Sequence, residues 1–431
     1  MLPAAVGSHG ETDNSKTQPR GIGVNSMDRK PAIGIVFPRP RGEGGALSVT
    51  AWIIHSLQDH YRLTVMTLDR CDPARLNAAF GTAIRADAVQ WISFEDQHPK
   101  ASTLLTRLDM VTLDQYACMR WAQSNLSDDM LPLSTNNEMT FGRRGLQYVN
   151  FPMLTVGRRD VARLIGQSGS FAKEILGRVF RFVFLIRDKD LRYNHTLCNS
   201  QWARATYEDY YGAGAAAGWL YPPCTMSNIP PHDDWLKRES GIIILGRLVP
   251  KKRLEDGLRI VRALREAGHG LHVHLVSSGG DAQYRKRLDD EFGGENWVHR
   301  EDAISREALM ELINTHRYGM HCNHNEHFGM ATAEMSGSGC LVLGHNSGGT
   351  CEILPDEAQR YDSVEEGVAR LAQIHTNAEL QSRLLALQRD HTQQFNTDTF
   401  THQVRRWIEG FLGAADSPSA TSPQPPPMLD D

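Results

Sequence analysis

The chain lacks any run of about 18 uncharged apolar residues, the length a membrane-spanning helix needs. Its first thirty residues, with SHGETDNSKTQPRG, also lack the apolar stretch of a signal peptide. A disordered leader over 1–30 and a cytoplasmic location are expected, with any membrane contact peripheral at the cytoplasmic face. Cysteine is sparse and unpatterned: seven residues, an odd number, with no CxxC spacing. This argues against a disulfide framework and for reduced thiols. Charge of one sign is missing too, since 46 basic residues nearly balance 51 acidic ones. The chain therefore carries no whole-molecule field for nucleic acid, although a local basic patch could meet a phosphate. No G-x-S-x-G elbow supports hydrolysis at His345 and Ser347, and no fixed-period repeat supports a solenoid.

What is present is alternation. At 431 residues the chain exceeds the size at which one core usually keeps growing, so two domains are expected. AIGIVFP (Ala32 to Pro38) reads as a buried strand, and the glycine-rich RPRGEGGALS turns it into a helix, an order that can place backbone N–H groups at the carboxyl end of a strand, where a phosphate could sit. RLTVMTL and AVQWISF read as further strands, and STLLTRLDMVTLDQYACMRWAQ as helix. LQYVNFP reads as a strand stopped at proline, which places Asn150 at a strand end facing a cleft. After GWLYPPC and SNIPPHDDWLKRES the second half repeats strand and helix more clearly: GIIIL, LHVHLVSS, YGMHCN and CLVLGH alternate with helical segments. The expected fold class is α/β, with open parallel sheets and ligands at the carboxyl ends of strands. The expected division is a first domain over 31–222, a linker over 223–238, a second domain over 239–398, a helix over 399–413 and a disordered tail over 414–431.

Two groups of residues carry chemistry. In GRLVPKKR, Gly246 can let a ligand approach the backbone, while Arg247 and Lys252 leave a strand end and together could neutralise a diphosphate. In NEHFGMATAEMSGSGC, Glu326 precedes a helix and Glu334 falls in its early turns; the first could accept hydrogen bonds from sugar hydroxyls and the second could bind a ribose. Between them His327, Phe328, Gly329 and Met330 form a helix start, with Gly329 permitting close backbone approach and the helix supplying unpaired N–H groups for an anion. His321, His324 and His327 are clustered, but strand, loop and helix start explain them, and no metal is expected.

On these residues the second half resembles the family 4 retaining glycosyltransferases of the GT-B fold, whose signature is an E-x7-E motif with an upstream Arg and Lys five positions apart. Glu326/Glu334 and Arg247/Lys252 match both spacings. GMHCNHNEHFGM and NSGG are similar to the lipid-linked-oligosaccharide α-1,2-mannosyltransferases. The resemblance implies two Rossmann-like domains facing across a cleft, with the last helix bracing the first. It further implies a donor sugar on Glu326, a ribose on Glu334, a diphosphate on Arg247 and Lys252, a phosphate or reacting sugar near Gly44 and Gly45, and a nucleobase near His299. The related enzymes show a YVHYP-like segment where this chain reads YVNFP, so Asn150 replaces a histidine that would point at the donor sugar.

The expected activity is retaining, metal-independent hexosyl transfer without a cofactor, from GDP-mannose first and UDP-sugars next, to a saccharide, lipid-linked or small-molecule acceptor. Rival readings are a UDP-sugar-dependent transferase of secondary metabolism and an inactive nucleotide-sugar-binding or scaffold protein. The oligomeric state is left open.

Overall fold

The computed structural model describes residues 30–42, 44–108, 110–155, 171–184, 186–277 and 279–415. The leader through residue 29 and the tail from residue 416 lie outside them. Thirteen strands are described: β1 (Ala32–Val36), β2 (Arg62–Thr67), β3 (Val89–Ser93), β4 (Met130–Ser134), β5 (Leu146–Val149), β6 (His195–Cys198), β7 (Gly218–Trp219), β8 (Glu239–Leu245), β9 (His272–Ser277), β10 (Val298–Asp302), β11 (His316–His321), β12 (Leu341–His345) and β13 (Arg360–Tyr361). They form two sheets, ordered β3-β2-β1-β4-β5-β6-β7 and β10-β9-β8-β11-β12-β13, and every paired neighbour is parallel.

Parallel strands are covered by helices on both faces, which is why β1 reads AIGIV with all five residues buried. The central III of β8 is buried for the same reason. In each sheet the chain starts in the middle, runs to one edge and then returns to build the other side. The direction of winding therefore reverses between β1 and β4 and between β8 and β11, leaving a crevice beyond the carboxyl ends of those strands. These are two Rossmann-like domains, as the resemblance implied, built from the open parallel sheets that the alternation predicted.

The chain crosses between the domains twice, and the crossings run side by side: Cys224 bridges to Asn396, and its N–H donates to the Phe395 carbonyl at 2.8 Å. Beyond the second crossing, the Thr397–Ala415 helix returns to the first domain. Its Phe400, Val404, Trp407, Ile408 and Phe411 recur at helical spacing and join the apolar core beneath the Gly45–Leu57 helix. Residues 223–238 are not free of the second domain, because Trp235 is fully buried in its core and donates from Nε1 to the Gly339 carbonyl at 2.8 Å.

Two local expectations fail for physical reasons. The single helix read over 102–123 is two, Pro99–Leu108 and Val111–Asn125, with Met110 extended between them. The break lets Asp114, in the first turn of the second helix, receive Arg39 from the loop after β1 at 2.5 and 2.8 Å. The strand β4, MLPLS, is absent from the sequence reading, and its Pro132 has no N–H for a ladder. Its position resolves this: β5 begins pairing with β4 only at Leu133, so Pro132 meets a partner on the β1 side alone.

Candidate functional site

The loop after β8 turns sharply. Pro250–Lys252 makes one tight turn and Arg253 takes a left-handed conformation at φ 48° before the Leu254–Glu266 helix begins. This bend sends the Lys252 side chain back over the end of β11, where its Nζ donates to Glu326 Oε2 at 2.5 Å. Asn323 Nδ2 donates to the same oxygen at 2.6 Å, His321 Nε2 lies 3.4 Å from it, and the His327 N–H donates to Oε1 at 3.3 Å. Burial alone would raise the Glu326 pKa, but the Lys252 charge and the His321 contact outweigh it and hold the carboxyl well below the usual range. Glu326 is therefore a carboxylate at neutral pH. It can accept hydrogen bonds but has no proton to give.

Glu326 is also held from behind by the turn after β12. The Gly349 N–H donates to the Glu326 carbonyl at 2.7 Å, and Ser347 Oγ accepts from the Asn325 N–H at 2.9 Å. Gly348 sits at φ 71°, and a Cβ there would lie 2.4 Å from the Glu326 carbonyl oxygen. The NSGG string is glycine-rich because this backbone must press against the Glu326 backbone.

Directly after this loop, Gly329 at φ 109° opens the Met330–Gly337 helix with no side-chain cap. Gly44 opens the Gly45–Leu57 helix of the first domain in the same uncapped way. The two helix starts meet across the crevice, since a Cβ on Gly45 would lie 2.7 Å from Met330 Sδ. Two sets of unpaired N–H groups and two positive helix ends thus converge beside Lys251, Lys252 and Arg247. Arg247 is solvent-exposed, and no carboxylate pairs with it among the described residues. Lys251 is half-buried, and burial lowers its pKa.

The first domain supplies the facing wall. Asn137 Oδ1 accepts from the Asn150 and Phe151 N–H groups at 3.0 and 3.1 Å, fixing the end of β5. Phe151 then stacks on His327 with ring centroids 4.3 Å apart, and Asn150 Nδ2 is buried with no partner. Burial pushes His327 down to about 4, so its imidazole is neutral at physiological pH. Ser200, which caps the Gln201–Tyr211 helix, donates from Oγ to the His327 carbonyl at 2.5 Å. Glu352 of the second domain accepts from the Gln201 and Trp202 N–H groups at 2.9 and 2.8 Å, so one domain caps a helix of the other.

Of the residues singled out from sequence, the structure brings together Gly44, Gly45, Arg247, Lys252, Glu326, His327, Gly329 and Met330, with Asn150 one residue from the His327 stack. Phe328 contributes backbone only, because its ring packs inward against Tyr221 and Phe395. Glu334 is buried and bidentate with Arg306 at 2.6 and 3.1 Å, an occupancy no local motif announced. His299 does not join the group. It is the second residue of β10, near the strand's amino end, and its ring lies 4.9 Å from that of His274. Lys251, Asn323, Arg306 and Glu352 are the polar neighbours that sequence reasoning did not single out. Only Lys251 had a local signal, the paired lysines of GRLVPKKR.

Residues 229–385 match the family described as Glycosyl transferases group 1. The chain is 24% identical over 244 residues to GDP-Man:Man(3)GlcNAc(2)-PP-Dol alpha-1,2-mannosyltransferase of Mus musculus, covering 51% of this chain and 50% of that one. The Homo sapiens protein of the same name is 25% identical over 236 residues, covering 49% and 48%. The chain spans about half the length of the curated relatives it matches. Among solved structures, sucrose-phosphate synthase from Thermosynechococcus elongatus superposes with a TM-score of 0.61 at 14% identity, over 90% of this chain and 100% of that one. WaaG, a glycosyltransferase involved in lipopolysaccharide biosynthesis, gives 0.59 at 13% over 88% and 100%. The fold is GT-B, as the E-x7-E and Arg-Lys spacings implied, and the chain is similar to the α-1,2-mannosyltransferases, as GMHCNHNEHFGM and NSGG implied.

Proposed function

We propose that this GT-B chain, whose second domain matches the glycosyl transferases group 1 family, transfers mannose from GDP-mannose to a lipid-linked saccharide with retention of anomeric configuration. The observation that carries this reading is the Lys252–Glu326 pair at 2.5 Å, set beside two uncapped helix starts that meet across the crevice. The second domain would hold the nucleotide and the first would hold the acceptor.

Donor entry would exchange partners. Lys252 leaves the Glu326 carboxylate for the diphosphate and is joined there by Arg247 and the N–H groups of the two helix starts. Glu326, released but still ionised, accepts from hydroxyls of the donor sugar. Arg306, bidentate on Glu334, orients that carboxyl group for a ribose. In the transfer step the bond from the anomeric carbon to the diphosphate oxygen breaks. The acceptor oxygen bonds to that carbon on the same face, and its proton passes to the departing diphosphate. No protein nucleophile and no metal is required by this step. The Phe151–His327 stack and the Glu352 cap, which span the domains, would keep water from the reacting sugar.

A lipid-linked acceptor is favoured by the surface of the first domain. Leu104, Leu108, Val111, Val179, Phe182 and Val183 are exposed apolar side chains on three of its helices. The Val111–Asn125 and Phe171–Val183 helices pack together. Arg107 lies in the last turn of Pro99–Leu108 and Arg181 in that of Phe171–Val183. Among the described residues no helix is long and apolar enough to cross a membrane, so this surface would act by peripheral contact.

The test is transfer from labelled GDP-mannose to Man(3)GlcNAc(2) linked through diphosphate to dolichol. One added α-linked mannose, removed by an α-mannosidase, is expected. Transfer from UDP-glucose with none from GDP-mannose would overturn the donor assignment.

A further inference from the structure

The amino-terminal edge of the second sheet carries a cluster that glycosyl transfer does not use. We infer that His272, His274 and His316 bind a divalent transition-metal ion of the zinc class, with Glu239 as the fourth ligand. One ligand nitrogen from each histidine lies within 4.8 Å of the others. His272 and His274, two apart on β9, share a face of the sheet. His316 opens β11, where it pairs with Glu239, the first residue of β8.

The space between the rings is made by a glycine. Gly241 on β8 is in register with His272, and a Cβ there would lie 2.3 Å from His272 Nε2 and 2.4 Å from His316 Cδ2. With no side chain in the way, the two imidazoles close over β8 until their Nε2 atoms are 3.2 Å apart. A tetrahedral ion with metal–nitrogen bonds of about 2.05 Å needs nitrogens about 3.3 Å apart, so this pair is already set and the third must close by no more than about 1.5 Å.

Tautomers point the same way. His316 Nδ1 lies 2.8 Å from the Leu312 carbonyl, which can only accept, so the proton sits on Nδ1 and Nε2 carries the lone pair. His274 Nδ1 lies 2.9 Å from Glu301 Oε1, so the same holds there. A carbonyl or carboxylate behind the distal nitrogen is how metal-binding histidines are oriented. Glu239 Oε2 stands 3.6 Å from His272 Nε2 and 3.9 Å from His316 Nε2.

The ion would join β8, β9 and β11 at the edge opposite the nucleotide loops. From His316 to His321, where the loop carrying Glu326 departs, the strand runs about 17 Å. Its role is to fasten the sheet, so it should change stability and leave nucleotide binding alone.

Full-length protein stripped with chelator and titrated with Co²⁺ should bind one ion per chain with micromolar or tighter affinity and develop visible absorption typical of four-coordinate cobalt. Zn²⁺ should displace it and raise the thermal midpoint. His272→Gln/His316→Gln should lose the absorption. In wild-type protein Zn²⁺ should also shield His272, His274 and His316 from diethyl pyrocarbonate, read by peptide mass spectrometry, while exposed His60 stays reactive. Absence of saturable Co²⁺ binding, or protection that misses these three histidines, would overturn the assignment.

Discussion

Glu326 has two jobs that a single substitution can separate. As a carboxylate it occupies Lys252 in the free protein, and in the proposed reaction it meets the sugar instead. Glu326→Gln should therefore bind GDP as tightly as wild type or more so, because Lys252 is released, while transfer falls by about 100-fold or more. Calorimetry and the transfer assay measure the two effects; loss of GDP binding with transfer intact would contradict the assignment. Glu138 behaves oppositely. Burial pushes its carboxyl up to about 7 despite hydrogen bonds from the Tyr211 hydroxyl and the Met153 N–H. Its folded pKa lies above the unfolded value, so its contribution is fully present below about 4.5 and is lost as pH rises through about 7. Glu138→Gln should flatten the thermal midpoint between pH 5 and 8 relative to wild type, and a slope identical to wild type would refute this. At this scale the sequence was only half readable. Arg247, Lys252 and Glu326 stand out because each leaves a strand end with a local spacing. Their consequences do not, since Lys252 meets Glu326 across 74 residues and Arg306 meets Glu334 across 28.

At the scale of elements, loops that look interchangeable are held by backbone geometry. Gly348→Ala would place a methyl 2.4 Å from the Glu326 carbonyl oxygen on a backbone at φ 71°. The turn and the Glu326 loop would then have to separate, and transfer should drop at least tenfold with a modest fall in thermal midpoint. Wild-type kinetics in that variant would show that the turn does not position Glu326. Glu352 is the corresponding device between domains. Glu352→Ala leaves the Gln201 and Trp202 N–H groups uncapped, which should cost about 1 kcal/mol of stability and raise the KM for the acceptor more than it lowers kcat. Most strands and helices were legible because buried parallel strands read as apolar runs. β4 was not, because a proline excused by its neighbour's late start looks the same in sequence as a proline that breaks a strand.

The whole molecule is two Rossmann-like sheets whose crevices face each other, tied by paired crossings and by a last helix whose Trp407 and Phe411 sit in the first domain's core. That division was readable from length and from two runs of alternating strand and helix. The relation between the halves was not, because it rests on contacts such as Phe151 with His327, 176 positions apart, and Gly45 with Met330. Those contacts bring the two uncapped helix starts together, and the central claim is that a nucleoside diphosphate binds there. Calorimetric titration of GDP into wild type and into Arg247→Ala/Lys252→Ala, with the fold of both checked by circular dichroism, tests it most directly. Wild type should bind GDP, and loss of two charge-assisted contacts at about 1.5–3 kcal/mol each should weaken that binding by about 100-fold or more in the double variant. Equal affinity for GDP in the two proteins would contradict it.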